Sequence, residues 1–244
     1  MTGVLRSEWI KFWSLRSSWA GLAAAVVVFV GTGLLASALL VDVTYDVIVL
    51  SLSGSALAQL VVGTLGVLVM TGEYSSGNIR STLIAVPRRL PVLVAKVVVF
   101  GVVSFALMLA AAAVVFTAGQ AIIGDAGASF ADPGAVRAVF GTAAYLTGAG
   151  LLGLLLGAAL RSTAAALSTY AGVMFLLGMV SSLVLSQDFR DDVGKFLPSA
   201  AGEAMTAVVR APESLSPGQG ALVFAGYLLL IGALGAWRLL TRDA

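Results

Sequence analysis

The chain has 244 residues, of which 59% are hydrophobic and only 11% are charged. A soluble domain of 24.8 kDa with a mean hydropathy of +1.04 would expose too much apolar surface, so we predict an all-α integral membrane protein. The sequence contains neither cysteine nor histidine, which excludes disulfides and removes the commonest metal ligand and general base. We therefore predict no metal site and no catalytic site.

Residues 1–18 are predicted to form an amphipathic helix at the membrane surface. The side chains that recur at spacings of three and four residues are Leu5, Trp9, Phe12, Trp13 and Arg16. This spacing places two indoles and a phenyl ring on one helical face. Tryptophans beside basic residues are typical of the headgroup region. A disordered basic leader is the alternative.

Six hydrophobic segments are long enough to cross a bilayer as helices, given a rise of about 1.5 Å per residue and a hydrocarbon core of about 30 Å. They cover residues 19–41, 48–71, 92–121, 138–160, 162–186 and 220–240. The triplet Ala36, Ser37 and Ala38 mimics a signal-peptidase site. The apolar stretch before it exceeds the usual signal core of about 7–15 residues, so we predict that the first helix is retained.

The second segment carries a stripe of small and polar residues at four-residue intervals. Its members are Ser51, Ser55, Gln59 and Gly63. Such a stripe lets helices approach closely and form hydrogen bonds, so we interpret it as a packing face. Lining a substrate path is the alternative.

The fourth segment is rich in glycine. Gly153 and Gly157 form a small-xxx-small pair, which Ala149 extends by one turn. This pattern indicates a helix contact face.

Charged residues are predicted only at the ends of the six segments. No Asp or Glu lies inside one of them, and we expect Lys96, near the start of the third, to extend its amine to the headgroups. The absence of intramembrane carboxylates argues against an ion-coupled carrier. The chain also lacks the phosphate-binding pattern GxxxxGK[ST], so we expect neither an ATPase site nor an enzyme.

Between the last two segments, residues 198–213 are too polar to cross a bilayer. They have one apolar side, formed by Ala200, Ala201, Ala204, Met205, Ala207 and Val208. We predict one or two short helices that lie at the outer surface or dip into it.

The distribution of charge predicts the orientation. In a six-span arrangement, ten of the fourteen Lys and Arg residues lie on the side of the N-terminus, and nine of the twelve Asp and Glu residues lie on the other. The positive-inside rule then places both termini in the cytoplasm of a multi-pass protein of the inner (plasma) membrane.

Residues 73–89 form the longest polar connection on the basic side, with the sequence EYSSGNIRSTLIAVPRR. Gly77 and Pro87 bracket a short helix predicted over residues 76–85. An ordinary basic loop is the alternative interpretation.

This connection resembles the loop after the second span in the actinobacterial branch of the type-2 ABC transporter permeases. The residues that carry the resemblance are Glu73, Tyr74, Ser75, Ser76, Gly77, Asn78, Ile79, Arg80, Pro87, Arg88 and Arg89. Many members have threonine where this chain has Asn78. A second similarity is FLPSAAGEAM at residues 196–205, which resembles the pattern before the last helix of that family.

The resemblance implies a membrane subunit of an ATP-driven exporter. It further implies an N-terminal elbow helix, a coupling helix in residues 73–89 that docks on a separate ATPase carrying ATP and Mg²⁺, and pairing with a second permease copy or a related permease. The apolar composition suggests a hydrophobic or amphiphilic small molecule or peptide as cargo, and no nucleic acid. The alternatives are an ion-coupled secondary carrier and a non-transporting scaffold or immunity protein.

Overall fold

The computed structural model describes residues 2–40, 46–77, 89–184, 192–209 and 214–241. These residues form helices, with no β-strand among them. The α-helices are α1 (Thr2–Ser14), α2 (Arg16–Leu39), α3 (Val47–Leu52), α4 (Ser55–Ser75), α5 (Arg89–Ile123), α6 (Ala135–Leu160), α7 (Thr163–Ala171), α8 (Leu177–Val184), α9 (Pro198–Thr206) and α10 (Pro217–Thr241).

Six helical segments of the described chain are long and apolar enough to span a membrane. They are Arg16–Leu39, Val47–Ser75, Leu90–Ala126, Ala135–Leu160, Thr163–Val180 and Pro217–Thr241. The prediction of a helical multi-pass membrane protein with six membrane-length apolar helices is confirmed for the described residues.

Two of these spans are less regular than the sequence predicted. The second breaks at Ser53 and Gly54 because α2 approaches closely there, and a Cβ on Gly54 would overlap the Phe29 carbonyl oxygen. The fifth contains a π-helical turn at Gly172–Leu176 between α7 and α8. Such turns add one residue to the helix and shift the faces on either side of it.

Helix α6 lies at the centre of the bundle. In its most hydrophobic stretch, 83% of the residues are buried, against 17–50% in the other spans. Its most extensive contact is with α4, and it also packs on α5 and α10. Glycine allows the α4 contact, because a Cβ on Gly153 would overlap the Gly63 carbonyl and a Cβ on Gly66 would overlap that of Gly150.

The short helix α9 packs on α10 and α6 and falls inside the segment predicted to hold one or two short helices. Ala201 and Gly202 are buried, and Gly202 lies against the ring of Tyr145. Arg137 of α6 holds the chain after α9, because its guanidinium donates to the carbonyl oxygens of Ala207 (2.8 Å) and Val208 (3.3 Å).

The ends of α6 and α10 are joined by two arginines. Arg161 follows α6 in a left-handed conformation (φ 55°) and donates to the Arg238 carbonyl oxygen at 2.8 Å. Arg238 in turn donates to the Ala159 carbonyl oxygen at 2.8 Å. The Arg161 guanidinium carbon also lies 5.5 Å from the centre of the Tyr74 ring, so the ends of α4, α6 and α10 meet on one side of the bundle.

Candidate functional site

Four charged side chains from three helices meet where α4 ends and α5 begins. We name Glu8, Lys11, Glu73 and Lys96 the four-charge cluster. Glu8 and Lys11 lie three residues apart on α1 and so share a face, while Glu73 lies in the last turn of α4 and Lys96 in the second turn of α5. The cluster therefore joins α1 to two consecutive helices that lie much later in the sequence.

The cluster is tightly hydrogen-bonded. The Lys96 amine donates to Glu8 Oε2 at 2.7 Å and to Glu73 Oε1 at 2.8 Å. The Lys11 amine donates to Glu8 Oε1 at 2.9 Å and to Glu73 Oε1 at 3.3 Å. Two positive and two negative charges therefore compensate one another, as buried charges must.

Three members of the cluster are almost removed from solvent. The exposed fraction of the side chain is 3% for Glu8, 6% for Lys96 and 12% for Glu73, against 36% for Lys11. Burial alone would lower the pKa of Lys11, but the carboxylates of Glu8 and Glu73 outweigh it, so this pKa lies above its ordinary value. The carboxylates of the cluster therefore favour the charged form of Lys11.

Lys96 does not extend to the headgroups, so that prediction was wrong. The amine turns inward because two carboxylates meet it there, and its residue is 5% exposed. The prediction that no carboxylate lies within a span also needs correction. Helix α4 continues through Glu73 to Ser75, and the span that contains it includes Glu73.

The predicted docking loop lies largely outside the described residues. These omit 78–88, which contain Asn78, Ile79, Arg80, Pro87 and Arg88 and most of the predicted helix 76–85. Ser75 is the last residue of α4, Ser76 follows it, and Gly77 ends the turn with φ 72°. Arg89 is the first residue of α5.

The α1 side chains that were predicted to lie together at the membrane surface do not all point the same way. Phe12 turns inward, is 5% exposed and meets Phe100 at 6.3 Å between ring centres. Trp9 and Trp13 remain exposed, and Trp13 lies 4.0 Å from the ring of Trp19. Arg16 is exposed as the first residue of α2. The inward face of α1 thus carries both the phenyl ring and the charges of the cluster.

The polar stripe of the second span divides into two parts. Gln59 is buried, its side-chain carbonyl accepts from the Tyr145 hydroxyl, and its backbone carbonyl accepts from the Tyr170 hydroxyl at 2.8 Å. Gly63 lies against Gly153. Ser55 instead lines a cavity at the opposite end of α4 from Glu73.

Gly157 also lies in the contact between α6 and α4. A Cβ there would lie 3.0 Å from the Met70 Cβ and 3.2 Å from the Val67 carbonyl oxygen. Gly153 and Gly157 therefore face the same helix.

The sequence prediction missed Glu8. Its signal was the shared face of Glu8 and Phe12, four residues apart on an amphipathic helix. Among the described residues, no group of three or more Asp or Glu side chains is arranged to hold a metal ion.

Comparison of the sequence with protein-family models and with curated proteins finds no significant match.

Proposed function

We propose that this chain is the permease subunit of an ATP-driven exporter, energised by a separate ATPase that docks on the loop of residues 73–89. The observation that carries the proposal is the four-charge cluster, which ties α1 to both helices that flank this loop. The resemblance of residues 73–89 to the type-2 ABC permeases supports the same assignment.

A docking loop transmits force only if its ends are firmly attached to the helices that must move. Glu73 and Lys96 lie on either side of residues 78–88 and bond to each other at 2.8 Å. Both also bond to α1, through Lys11 and Glu8 respectively. A displacement of the loop would therefore move α4, α5 and α1 together.

In this proposal α1 is the elbow helix at the cytoplasmic surface. Its exposed indoles, Trp9 and Trp13, suit the headgroup region, while Phe12 and Glu8 attach it to the bundle. Arg161 and Arg238 lie on the same side as Tyr74, which agrees with the excess of basic residues predicted there. Both termini would then be cytoplasmic.

The remaining parts would come from partners. The chain has no phosphate-binding loop of its own, so ATP and Mg²⁺ would be bound by the ATPase. A second permease copy, or a related permease, would complete the transporter.

The contacts of Glu73 make it a poor residue for testing whether an ATPase docks on this loop. The Glu73 carboxylate is bonded to Lys11 and Lys96 of the same chain. Replacing Glu73 would disturb the bundle whether or not an ATPase docks nearby. Arg80 is the better probe, because a guanidinium can bind a carboxylate of the partner with two parallel hydrogen bonds.

The test is to extract the chain in mild detergent from its native cells and to assay the extract for a co-purifying ATPase. We expect an assembly that hydrolyses Mg-ATP and a substantial loss of bound ATPase in Arg80→Ala. The matched control is Arg6→Ala, which removes an exposed cation from α1. If Arg80→Ala retains as much ATPase and hydrolysis as Arg6→Ala, residues 78–88 are an ordinary basic loop. An effect of Arg88→Ala with Arg89→Ala on topology alone would assign that pair to lipid phosphates.

One observation favours a second candidate, an ion-coupled carrier. Glu73 and Lys96 are titratable groups near span ends, and Glu73 Oε2 is buried without a hydrogen bond. In proteoliposomes that hold the chain alone, uptake driven by a proton or sodium gradient would favour the carrier. Transport that requires both the ATPase and ATP would favour the exporter.

A further inference from the structure

A large cavity lies at the end of the bundle opposite the four-charge cluster. Its volume is about 640 Å³, within the range of about 300–1,000 Å³ that is usual for sites of drug-sized ligands. Its walls come from the end of α2, from α3, from the first turn of α4, and from α9 with the residues that follow it. The cavity therefore lies between two parts of the chain that are far apart in sequence.

The described walls of this cavity are mostly apolar. The apolar side chains that line it are Leu40, Val49, Leu50, Ala56, Val208 and Val209. Ser53, Ser55 and Thr206 add hydroxyl groups. Such a lining accepts an apolar body and offers few groups that could orient it.

Two carboxylates line the same cavity. Asp46 is partly engaged, because its Oδ1 accepts from the backbone amides of Ile48 (2.9 Å) and Val49 (3.4 Å) and so caps α3. Glu203, on α9, makes no ion pair within the described part of the chain. Among the described residues that line the cavity there is no Lys or Arg.

The nearby cation Arg137 is directed elsewhere. It reaches this end of the bundle from α6, but its guanidinium donates to the carbonyl oxygens of Ala207 and Val208. Glu203 is an exposed residue on the cavity wall, and desolvation by the neighbouring protein raises the pKa of its carboxyl above the ordinary value. Within the described part of the chain, the Glu203 carboxylate therefore faces a mostly apolar cavity without a cation to neutralise it.

We propose that this cavity is a binding site for a hydrophobic organic cation, held by its apolar body against the walls and by its charge against Glu203. An apolar cation would be transferred from water to the walls at little cost. Its charge would supply the compensation that Glu203 lacks within the described residues. The proposal concerns binding by this chain alone and does not depend on an ATPase.

Tetraphenylphosphonium and tetraphenylborate make a suitable pair of probes, because they have nearly the same shape and opposite charge. Binding of each to the purified protein is measured by equilibrium dialysis, with empty micelles as the blank. We expect saturable binding of tetraphenylphosphonium and much weaker binding of tetraphenylborate. Equal binding of the two ions, or none above the micelle blank, would overturn the proposal.

Glu203→Gln tests the charge with little change of shape. It should weaken tetraphenylphosphonium binding on the order of tenfold, the scale of one ion pair in a partly buried site. Glu203→Asp keeps the charge and should retain most of the affinity. The matched control is Asp125→Asn, which removes an exposed carboxylate outside the cavity. If Glu203→Gln binds the cation as well as Asp125→Asn does, the proposal is wrong.

Thermal stability of each variant separates binding from folding. Glu203→Gln replaces an exposed carboxylate that makes no ion pair with any described residue, so its melting temperature should be close to that of the parent chain. A loss of affinity in a variant of undiminished stability would therefore report on the site itself. Ser55→Phe, which narrows the cavity on the α4 side, should weaken binding of the cation as well, and unchanged affinity there would place the bound cation outside this cavity.

Discussion

Replacing Lys96 by methionine removes the central cation of the four-charge cluster while keeping a long apolar side chain. Lys96 bonds to both Glu8 (2.7 Å) and Glu73 (2.8 Å) and is 6% exposed at its side chain. Without it, two buried carboxylates share the half-exposed Lys11. Removing one partner of a buried ion pair costs about 3–5 kcal/mol, so we expect Lys96→Met to reduce the free energy of unfolding by an amount in this range.

The measurement is reversible unfolding in mixed micelles, followed by tryptophan fluorescence. Lys195→Met is the matched control, because Lys195 lies 5.8 Å from the centre of the Phe196 ring, outside the cluster. Loss of that contact should cost less than about 1 kcal/mol. Lys11→Met should fall between the two, since Lys11 is more exposed than Lys96.

A double variant tests why Lys96→Met is expected to lose stability. Lys96→Met combined with Glu73→Gln leaves Glu8 and Lys11 as a neutral pair, so it should be more stable than Lys96→Met alone. Neighbouring residues of one network commonly couple by about 0.5–3 kcal/mol in such cycles. If Lys96→Met is as stable as Lys195→Met, or if the double variant is less stable than both single variants, the cluster does not hold the helices in the way described.

Three further predictions concern packing, titration and orientation. Gly153→Ala should destabilise the protein by about 1–3 kcal/mol, because its Cβ would overlap the Gly63 carbonyl. Gly226→Ala, which meets nothing within 4 Å, should be neutral or stabilising in the same melting assay, and equal losses would refute the packing argument. The pKa of Lys11 is raised above 10.5, so its stabilisation is complete below that pH and is lost as the pH rises through the raised value. The Lys11→Arg variant keeps its charge at alkaline pH, so its free energy of unfolding should fall less with rising pH than that of the parent chain. An equal fall in both proteins would contradict this prediction. Single cysteines at Ser14 and Asp125 should react with impermeant maleimide from opposite sides of the membrane, and labelling of both from one side would exclude the six-span orientation.

The spans could be predicted from sequence because hydrophobic length is a local property. Each predicted segment overlaps one span of the structure, with ends displaced by only a few residues. The break at Gly54 could not be predicted, because its cause is the close approach of α2 at Phe29. No pattern within the second segment indicates which helix will pack there.

The candidate site was harder to predict from the sequence than the spans were. A charged residue beside a hydrophobic segment is expected at the headgroups, and this rule gave the wrong position for Lys96. Its bond to Glu8 joins residues 88 positions apart, so only the packing of α1 on α5 reveals it. The surroundings of Ser55 and Gln59 could not be predicted from their shared helical face either. Ser55 lines a cavity, whereas Gln59, one turn later, is packed between helices.

The two ends of the bundle differ in whether their carboxylates are neutralised by cations among the described residues. At one end, Glu8 and Glu73 are neutralised by Lys11 and Lys96, so the cluster has no net charge with which to attract an organic cation. It can, however, move as one unit with α1, α4 and α5. At the other end, Glu203 faces an apolar cavity without such compensation within the described chain. A carboxylate that no described cation neutralises would attract a cation able to enter this cavity. The two proposals therefore place force transmission at the neutral cluster and ligand recognition at the cavity.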